Sequence, residues 1–167
     1  MARWRYGAGL ALFAAGAALG AAAAPSAYDL AGRYTHRFRN GDISGARFTS
    51  TNRVSIVALD RGRAYVDVHL NFFNGHECSI GGVASLEEGR LVLRDPWAQG
   101  HDGTPCMLSI WRDGTRLHWT DGEGSCRSNC GARGGFNDSM AWSSRRSIPR
   151  AEQARMLREY ERDRSLP

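Results

Sequence analysis

The chain has 167 residues, a length that suits one domain with its own hydrophobic core, and its formal net charge is +5. All 22 basic residues are arginines, and residues 24–144 hold 13 arginines and 13 acidic residues. Because nucleic-acid phosphates are bound by a concentrated basic face, this neutral central part argues against a nucleic-acid partner.

The N-terminus has the layout of a Sec-type signal peptide. Arg3 and Arg5 precede the apolar stretch Leu10–Leu19, and the alanines 21–24 offer a small-residue cleavage site. We therefore expect residues 1–23 to be removed and the mature protein to be periplasmic or secreted. An uncleaved membrane anchor is the alternative, although the apolar stretch is short for a spanning helix. No later segment is apolar over a sufficient length, so we expect no transmembrane segment after cleavage.

Short apolar runs alternate with turn sequences such as Asn74-Gly75, Glu88-Gly89 and Asp113-Gly114, the pattern of antiparallel strands joined by hairpins. The predicted strands are Tyr28–Phe38, Arg47–Leu59, Ala64–Phe73, Glu77–Leu86, Arg90–Arg94, Cys106–Arg112, Arg116–Thr120 and Phe136–Ser143. With no helical pattern between them, residues 28–144 are predicted to form a mainly β domain, an antiparallel small barrel or sandwich of seven to eight strands.

Within these strands, the spacing of apolar residues predicts which face is buried. In Ala64–Phe73 the residues expected to face the core are Val66, Val68, Leu70 and Phe72. Gly81-Gly82 predicts a bulge or a sharp bend. Asn40-Gly41 is a hairpin signal, although the following Asp42 to Gly45 allow a longer loop.

Residues 147–164 are predicted to form a C-terminal amphipathic helix, with Met156, Leu157 and Tyr160 on one stripe.

Four cysteines in an exported chain predict two disulfides, for which three pairings exist. The placement of Cys78 and Cys106 at strand starts favours a bridge between them, which leaves Cys126–Cys130 to close a small loop. A zinc site is the alternative, because Cys126-x3-Cys130 could supply two ligands and His76 or His101 a third. Export makes the disulfides the preferred interpretation, and we expect neither a metal nor a cofactor.

A few polar residues could carry chemistry or binding. His69 and Asp67 project from the same strand face and could act as an acid/base pair, although an ordinary solvent-facing polar stripe is the preferred interpretation. His101 and Asp102 follow Trp97 in the longest loop of the domain, where a binding edge could form; the candidates there are Trp97, His101 and Asp102. Arg133, in the glycine-rich segment 131–135, either caps carbonyl groups or faces a partner, and we favour the structural role.

One set of cysteine and glycine motifs consists of Cys78, Cys106, Cys126-x3-Cys130-Gly and Arg133-Gly-Gly-Phe136. This set resembles the cysteine-containing β-domain of periplasmic lysozyme-inhibitor-like proteins. Ser44-Gly45 is similar to the Ser-Gly loop that C-type lysozyme inhibitors insert into the enzyme's cleft. The resemblance implies a non-catalytic domain whose loop at Ser44 and Gly45 contacts a hydrolase. The lysine contact of that family has no counterpart, because this chain has no lysine.

Three functions follow as hypotheses. The first is an exported, non-enzymatic binding module that binds a protein hydrolase or another envelope protein, and so an inhibitor of lysozyme or of another hydrolase. The second is a lipocalin-like barrel that carries a small apolar molecule. The third is an enzyme that uses His69 with Asp67, or His101. The sequence names neither the target nor the oligomeric state.

Overall fold

The computed structural model describes residues 24–164, so the predicted signal peptide, residues 1–23, lies outside the described residues. Eight strands form one sheet. The elements are α1 (Ala27–Leu30), β1 (Gly32–Gly41), β2 (Arg47–Ala58), β3 (Arg63–Asn71), β4 (Glu77–Glu87), β5 (Arg90–Gln99), β6 (Pro105–Asp113), β7 (Arg116–Thr120), β8 (Asp138–Ala141) and α2 (Arg150–Arg164). Single 3-10 turns lie at Phe73–Gly75, Arg127–Asn129 and Trp142–Ser144.

Each strand pairs antiparallel with the next along the chain, in the order β1 to β8. The sheet curls until β1 and β8 approach each other, which makes a nearly closed barrel. The prediction of a mainly β, antiparallel domain with a C-terminal helix is confirmed. Asn40-Gly41 ends β1 but does not form the turn itself, because Gly41 pairs with Arg47 and residues 42–46 make the longer loop.

The inner face of the barrel is a packed hydrophobic core. In β3 the alternation is as predicted, since Val66, Val68 and Leu70 are buried, while Phe72 just beyond the strand is half-buried. The largest fully buried side chains belong to Trp119, Tyr34 and Phe136. Burying a large apolar side chain stabilises a fold by about 1.5–3 kcal/mol, so this interior is the main source of stability.

One end of the barrel is covered by α1, where the sequence instead predicted strand from Tyr28 onward. The carboxylate of Asp29 accepts hydrogen bonds from the backbone N–H and the hydroxyl of Ser26, at 2.8 and 3.2 Å. These local bonds compete with strand pairing and start a helical turn. Leu30 is buried, and its carbonyl accepts a hydrogen bond from the Tyr34 hydroxyl at 2.8 Å.

The predicted bulge at Gly81-Gly82 is wrong. Both glycines pair in regular register with β3, Gly81 with Asp67 and Gly82 with Val66. A Cβ atom on Gly82 would lie 3.1 Å from the Leu93 side chain. The glycine therefore serves close packing inside the barrel and not a change of register. The break in register lies instead in β5, between Asp95 and Gln99.

Both disulfides are present, but the predicted pairing is wrong: Cys78 pairs with Cys130, and Cys106 with Cys126. Cys78 and Cys106 begin β4 and β6, with β5 between them, which puts two strand spacings, about 10 Å, between their backbones. A disulfide requires Cα atoms within about 7 Å. The observed pairs have Cα separations of 4.1 and 4.4 Å, and both tie the segment between β7 and β8 to strand starts.

The C-terminal helix α2 lies on the outer face of the sheet. Its buried Met156 packs with Val57 and Tyr65, and Leu157 and Tyr160 are partly buried against the same cluster, so the predicted stripe is the packed one. Arg33 of β1 donates two hydrogen bonds to Glu152, at 2.8 and 3.2 Å. The helix begins at Arg150, slightly later than predicted. The carbonyl of Pro149, the residue before it, accepts the backbone N–H groups of Glu152 and Gln153, both at 3.0 Å, and so makes the first hydrogen bonds of the helix.

Candidate functional site

In an up-and-down antiparallel sheet, successive connections alternate between the two ends. One end carries the short turns 59–62, 88–89 and 114–115 together with α1. The other end, which we call the loop end, carries residues 42–46, 72–76, 100–104 and 121–137. The six predicted binding residues, Ser44, Gly45, Trp97, His101, Asp102 and Arg133, all lie at or next to the loop end.

The loop 42–46 is held by its own first residue. A carboxylate oxygen of Asp42 accepts the backbone N–H groups of Ser44 and Ala46 at 2.9 and 3.1 Å, as well as the Ser44 hydroxyl. This hydroxyl bond, helped by the backbone bonds, holds the pKa of Asp42 below its ordinary value. The loop presents Ile43 to solvent with 81% of its surface exposed. The Ile43 N–H also donates to the Asn74 side chain at 3.3 Å, which ties this loop to the next connection.

Trp97 is the most exposed large hydrophobic residue that the structure describes, at 94%. It lies in the irregular part of β5, where Asp95 accepts the Trp97 N–H at 3.0 Å. Asp102 accepts the N–H of Thr104 at 3.0 Å, and bonding to Thr104 lowers the pKa of Asp102. His101 beside it is exposed. Asp102 thus shapes the β5–β6 connection, and Trp97 is left free for contact.

The segment 121–137 is fixed by its disulfides and by Arg127. The Arg127 guanidinium donates to the carbonyl oxygens of Ala132 and Gly134. This is the capping role that the sequence analysis gave to Arg133, which is instead exposed and has no side-chain hydrogen bond or ion pair within residues 24–164. Gly134 lies directly over the Cys78 sulfur, where a Cβ atom would collide with it. Any side chain there would push the segment away from the barrel.

Exposed hydrophobic surface concentrates at the loop end. Of the seven large hydrophobic side chains exposed in the described part of the chain, five lie there, namely Ile43, Phe48, Phe73, Trp97 and Met107. The sequence analysis singled out only Trp97. Ile43 and Phe73 could have been found from their positions, because each is an apolar residue beside a turn sequence and outside the alternating pattern. Apolar groups exposed together on fixed loops are typical of a recognition surface.

A groove of about 370 Å³ runs between the start of β6 and the segment that follows β7. Met107 and Ser109 line it on one side, and Asp121 and Ser125 on the other. The Ser125 hydroxyl accepts the Met107 N–H at 3.1 Å, so this part of β6 is paired with the segment and not with β7. Asp102 is the one predicted binding residue among those that line the groove.

His69 and Asp67 share the outer face of β3 but have different partners. Asp67 accepts a hydrogen bond from Arg53 at 3.2 Å, whereas His69 lies 4.0 Å from the carboxylate of Glu77. His101, the other candidate for catalysis, lies in an exposed turn next to Asp102. The geometry therefore pairs neither histidine with the carboxylate that general base chemistry would need at hydrogen-bond distance.

Zinc ligation by the cysteines is ruled out in this structure, because all four are in disulfides and offer no thiolate. Within residues 24–164 no group of three or more histidine, cysteine or acidic side chains is arranged to hold a metal ion. Neither helix of the described chain has the length and apolar character needed to span a bilayer.

Comparison with known proteins adds no relatives: no family model, curated protein or solved structure matches this chain.

Proposed function

We propose that this protein is an exported, non-catalytic binding module that recognises another protein through its loop end. The observation that carries the proposal is the concentration of exposed hydrophobic side chains at the loop end, where Asp42 holds the loop of Ile43 and two disulfides hold the neighbouring segment 121–137. Preorganised loops lose little conformational entropy on binding, so apolar contacts made by Trp97 and Ile43 translate efficiently into affinity. The two disulfides suit an oxidising compartment, as the proposed export requires.

The proposed partner is a hydrolase of the envelope or of a host fluid. Support comes from the resemblance to lysozyme-inhibitor-like domains and from Ser44-Gly45, which lies in an exposed loop held by Asp42. A protruding loop of this kind can enter a concave cleft. We further propose that the module blocks substrate access in that cleft and does not act on the hydrolase chemically.

The packed interior favours this function over a small-molecule carrier. Trp119, Tyr34 and Phe136 fill the barrel with side chains that are at most 1% exposed. A carrier barrel would have to leave an interior cavity of at least about 300 Å³ for its ligand.

The test measures binding of the mature, oxidised protein to C-type lysozyme and to a panel of purified envelope hydrolases, by surface plasmon resonance and by inhibition of turnover. We expect Trp97→Ala and Ile43→Ala each to weaken binding about tenfold or more, as truncation of a central interface residue does. Tyr28→Ala is the matched control, since Tyr28 is 53% exposed on α1 at the opposite end. Binding that both loop-end variants leave unchanged, or that Tyr28→Ala weakens equally, would overturn the proposal.

A further inference from the structure

The barrel has an open seam along β1. This strand pairs with β2 over its whole length, Gly32 to Gly41, but its other edge has a single bridge, between Arg33 and Arg146. In the described part of the chain, β8 forms no ladder with β1, although it is the nearest strand across the seam. Tyr34 and the start of β1 are covered by Trp142, with the two rings 5.4 Å apart. Beyond this cover His36, Arg37 and Arg39 are exposed, and the strand is buried again only at Asn40 and Gly41, next to the loop end.

The bridge at Arg33 fixes which residues point their backbone groups into the seam. The backbone N–H of Arg33 donates to the Arg146 carbonyl, and the backbone N–H of Arg146 donates to the Arg33 carbonyl, both at 2.8 Å. The N–H and C=O groups of Arg33 therefore point away from β2. In an antiparallel strand this orientation repeats at every second residue, which assigns Thr35, Arg37 and Arg39 to the open edge. None of these three has a backbone partner among the residues that the structure describes. Six hydrogen-bonding groups in a row are therefore available to an added strand.

The outer face beside this edge is basic. Arg37 and Arg39 are exposed, and the neighbouring strand contributes the exposed Arg47. Their partners across the β1–β2 ladder are Thr51, Thr49 and Gly41, none of them acidic. Asp42 is the one acidic residue between residues 30 and 59, and its carboxylate is engaged by its own loop. An added strand would thus meet uncompensated positive charge on this side.

The inner face beside the same edge is aromatic. His36 and Phe38 stack at a centroid distance of 5.6 Å, and although both belong to the inward-facing set of β1, His36 is exposed and Phe38 is half-buried. Solvent therefore reaches the inner side of β1 at this pair. Apolar side chains of an added strand would cover this pair.

From the free edge, the outer arginines and the inner aromatic pair, we propose that β1 binds an extended peptide segment in which acidic and apolar residues alternate. Successive side chains of a strand point to opposite faces, so such a segment places its acidic residues against Arg37 and Arg39 and its apolar residues over His36 and Phe38. The backbone bonds to Thr35, Arg37 and Arg39 supply strand addition. A second copy of this chain is a poor occupant, because antiparallel pairing of two β1 strands would bring the outer arginines of one strand close to those of the other.

The experiment uses the mature, oxidised protein and a fluorescent seven-residue peptide of alternating glutamate and valine. One control peptide replaces glutamate by lysine, and a second keeps the side chains but methylates the backbone nitrogens on one edge. Fluorescence anisotropy gives the affinities, and NMR hydrogen exchange reports on individual amides. We expect the parent peptide to bind at least about tenfold more tightly than either control, with exchange at Thr35, Arg37 and Arg39 slowed about tenfold or more.

Arg37→Glu should weaken peptide binding about tenfold. Arg61→Glu, the same change in an exposed turn at the opposite end, should leave it within about twofold. Four outcomes would each overturn the inference. The methylated peptide could bind as tightly as the parent peptide, the slowed amides could lie on other strands, or no peptide could bind at millimolar concentration. The fourth outcome is a dimer of the protein that protects the same amides without peptide. The synthetic peptide makes this test independent of the loop-end partner, so either proposal can fail while the other stands.

Discussion

Asn40 shows how a single polar side chain can lock several parts of the barrel together. Only 7% of it is exposed, and its amide donates to the Ser50 hydroxyl and to the Phe72 carbonyl, both at 2.9 Å, while its oxygen accepts the Gly41 N–H at 2.8 Å. It thereby joins the end of β1, β2 and the β3–β4 connection. The indole N–H of Trp119 contrasts with it, since this buried donor has no acceptor among the described residues.

Asn40→Ala should lower the free energy of unfolding by at least about 2 kcal/mol, because each buried polar group left without a partner costs about 1–3 kcal/mol. Chemical denaturation followed by tryptophan fluorescence measures the change. Asn137→Ala is the control, since Asn137 is exposed, and should stay within about 0.5 kcal/mol of wild type. A loss at position 40 no larger than that of the control would show that these bonds are replaced by water at little cost.

At the scale of elements, the segment between β7 and β8 has little regular structure of its own and depends on covalent and side-chain ties. Cys130 attaches it to β4 and Cys126 attaches it to β6, while the Gly131 N–H donates to the Glu77 carbonyl at 2.7 Å. The two bridges close chain segments of different length, with sequence separations of 52 and 20 residues. They should therefore restrict the unfolded chain to different degrees.

Mass mapping of non-reduced peptides should find Cys78–Cys130 and Cys106–Cys126. Replacing the first pair by alanines should cost about 4 kcal/mol and the second about 3 kcal/mol, since the loss of unfolded-state entropy grows with the length of the closed loop. Equilibrium denaturation of the two double variants gives the comparison. A Cys126–Cys130 peptide would contradict the fold at this segment, and a reversed order of stabilities would contradict the entropic account.

For the whole molecule, the question is whether α2 is part of the barrel or an addition to it. Among the residues whose burial is described, the barrel core contains none from the helix, and α2 instead belongs to a separate, smaller cluster with Val57 and Tyr65. The helix is attached by the buried Met156, by the partly buried Leu157 and Tyr160, and by the paired hydrogen bonds of Arg33 to Glu152. Arg145 and Arg146, which bond to the start of β1, precede the helix and would remain after its removal.

A mature protein that ends at Pro149 should fold with both disulfides and lose about 2–3 kcal/mol of stability, the contribution of burying a side chain such as Met156. Thermal melts and disulfide mapping test this expectation. The full-length variant Met156→Asp is the matched control, because it should undock the helix without shortening the chain and reach a similar stability. A truncated protein that does not fold would make α2 a core element.

Local sequence determined much of this protein. Strands are specified by alternation such as that of β3, hairpins by turn sequences such as Asn74-Gly75 and Glu88-Gly89, and the helix by the apolar stripe of α2. These signals are local, because side-chain periodicity and turn conformation depend on residues close in the chain. The placing of the other predicted binding residues in connections also follows from this pattern, whereas Trp97, predicted in a loop, lies in β5. An antiparallel domain of seven to eight consecutive strands was therefore predictable.

The tertiary structure alone decided which distant residues meet. The cysteine partners depend on β5 lying between β4 and β6, and the gathering of Ser44, Trp97 and Arg133 at one end depends on the alternation of connections around a barrel. Whether β1 is paired on both edges depends on how far β8 closes the sheet, and no local pattern in β1 carries that information. These features arise from the curvature and closure of the whole sheet, to which every strand contributes, and so they appear only when all eight strands are assembled.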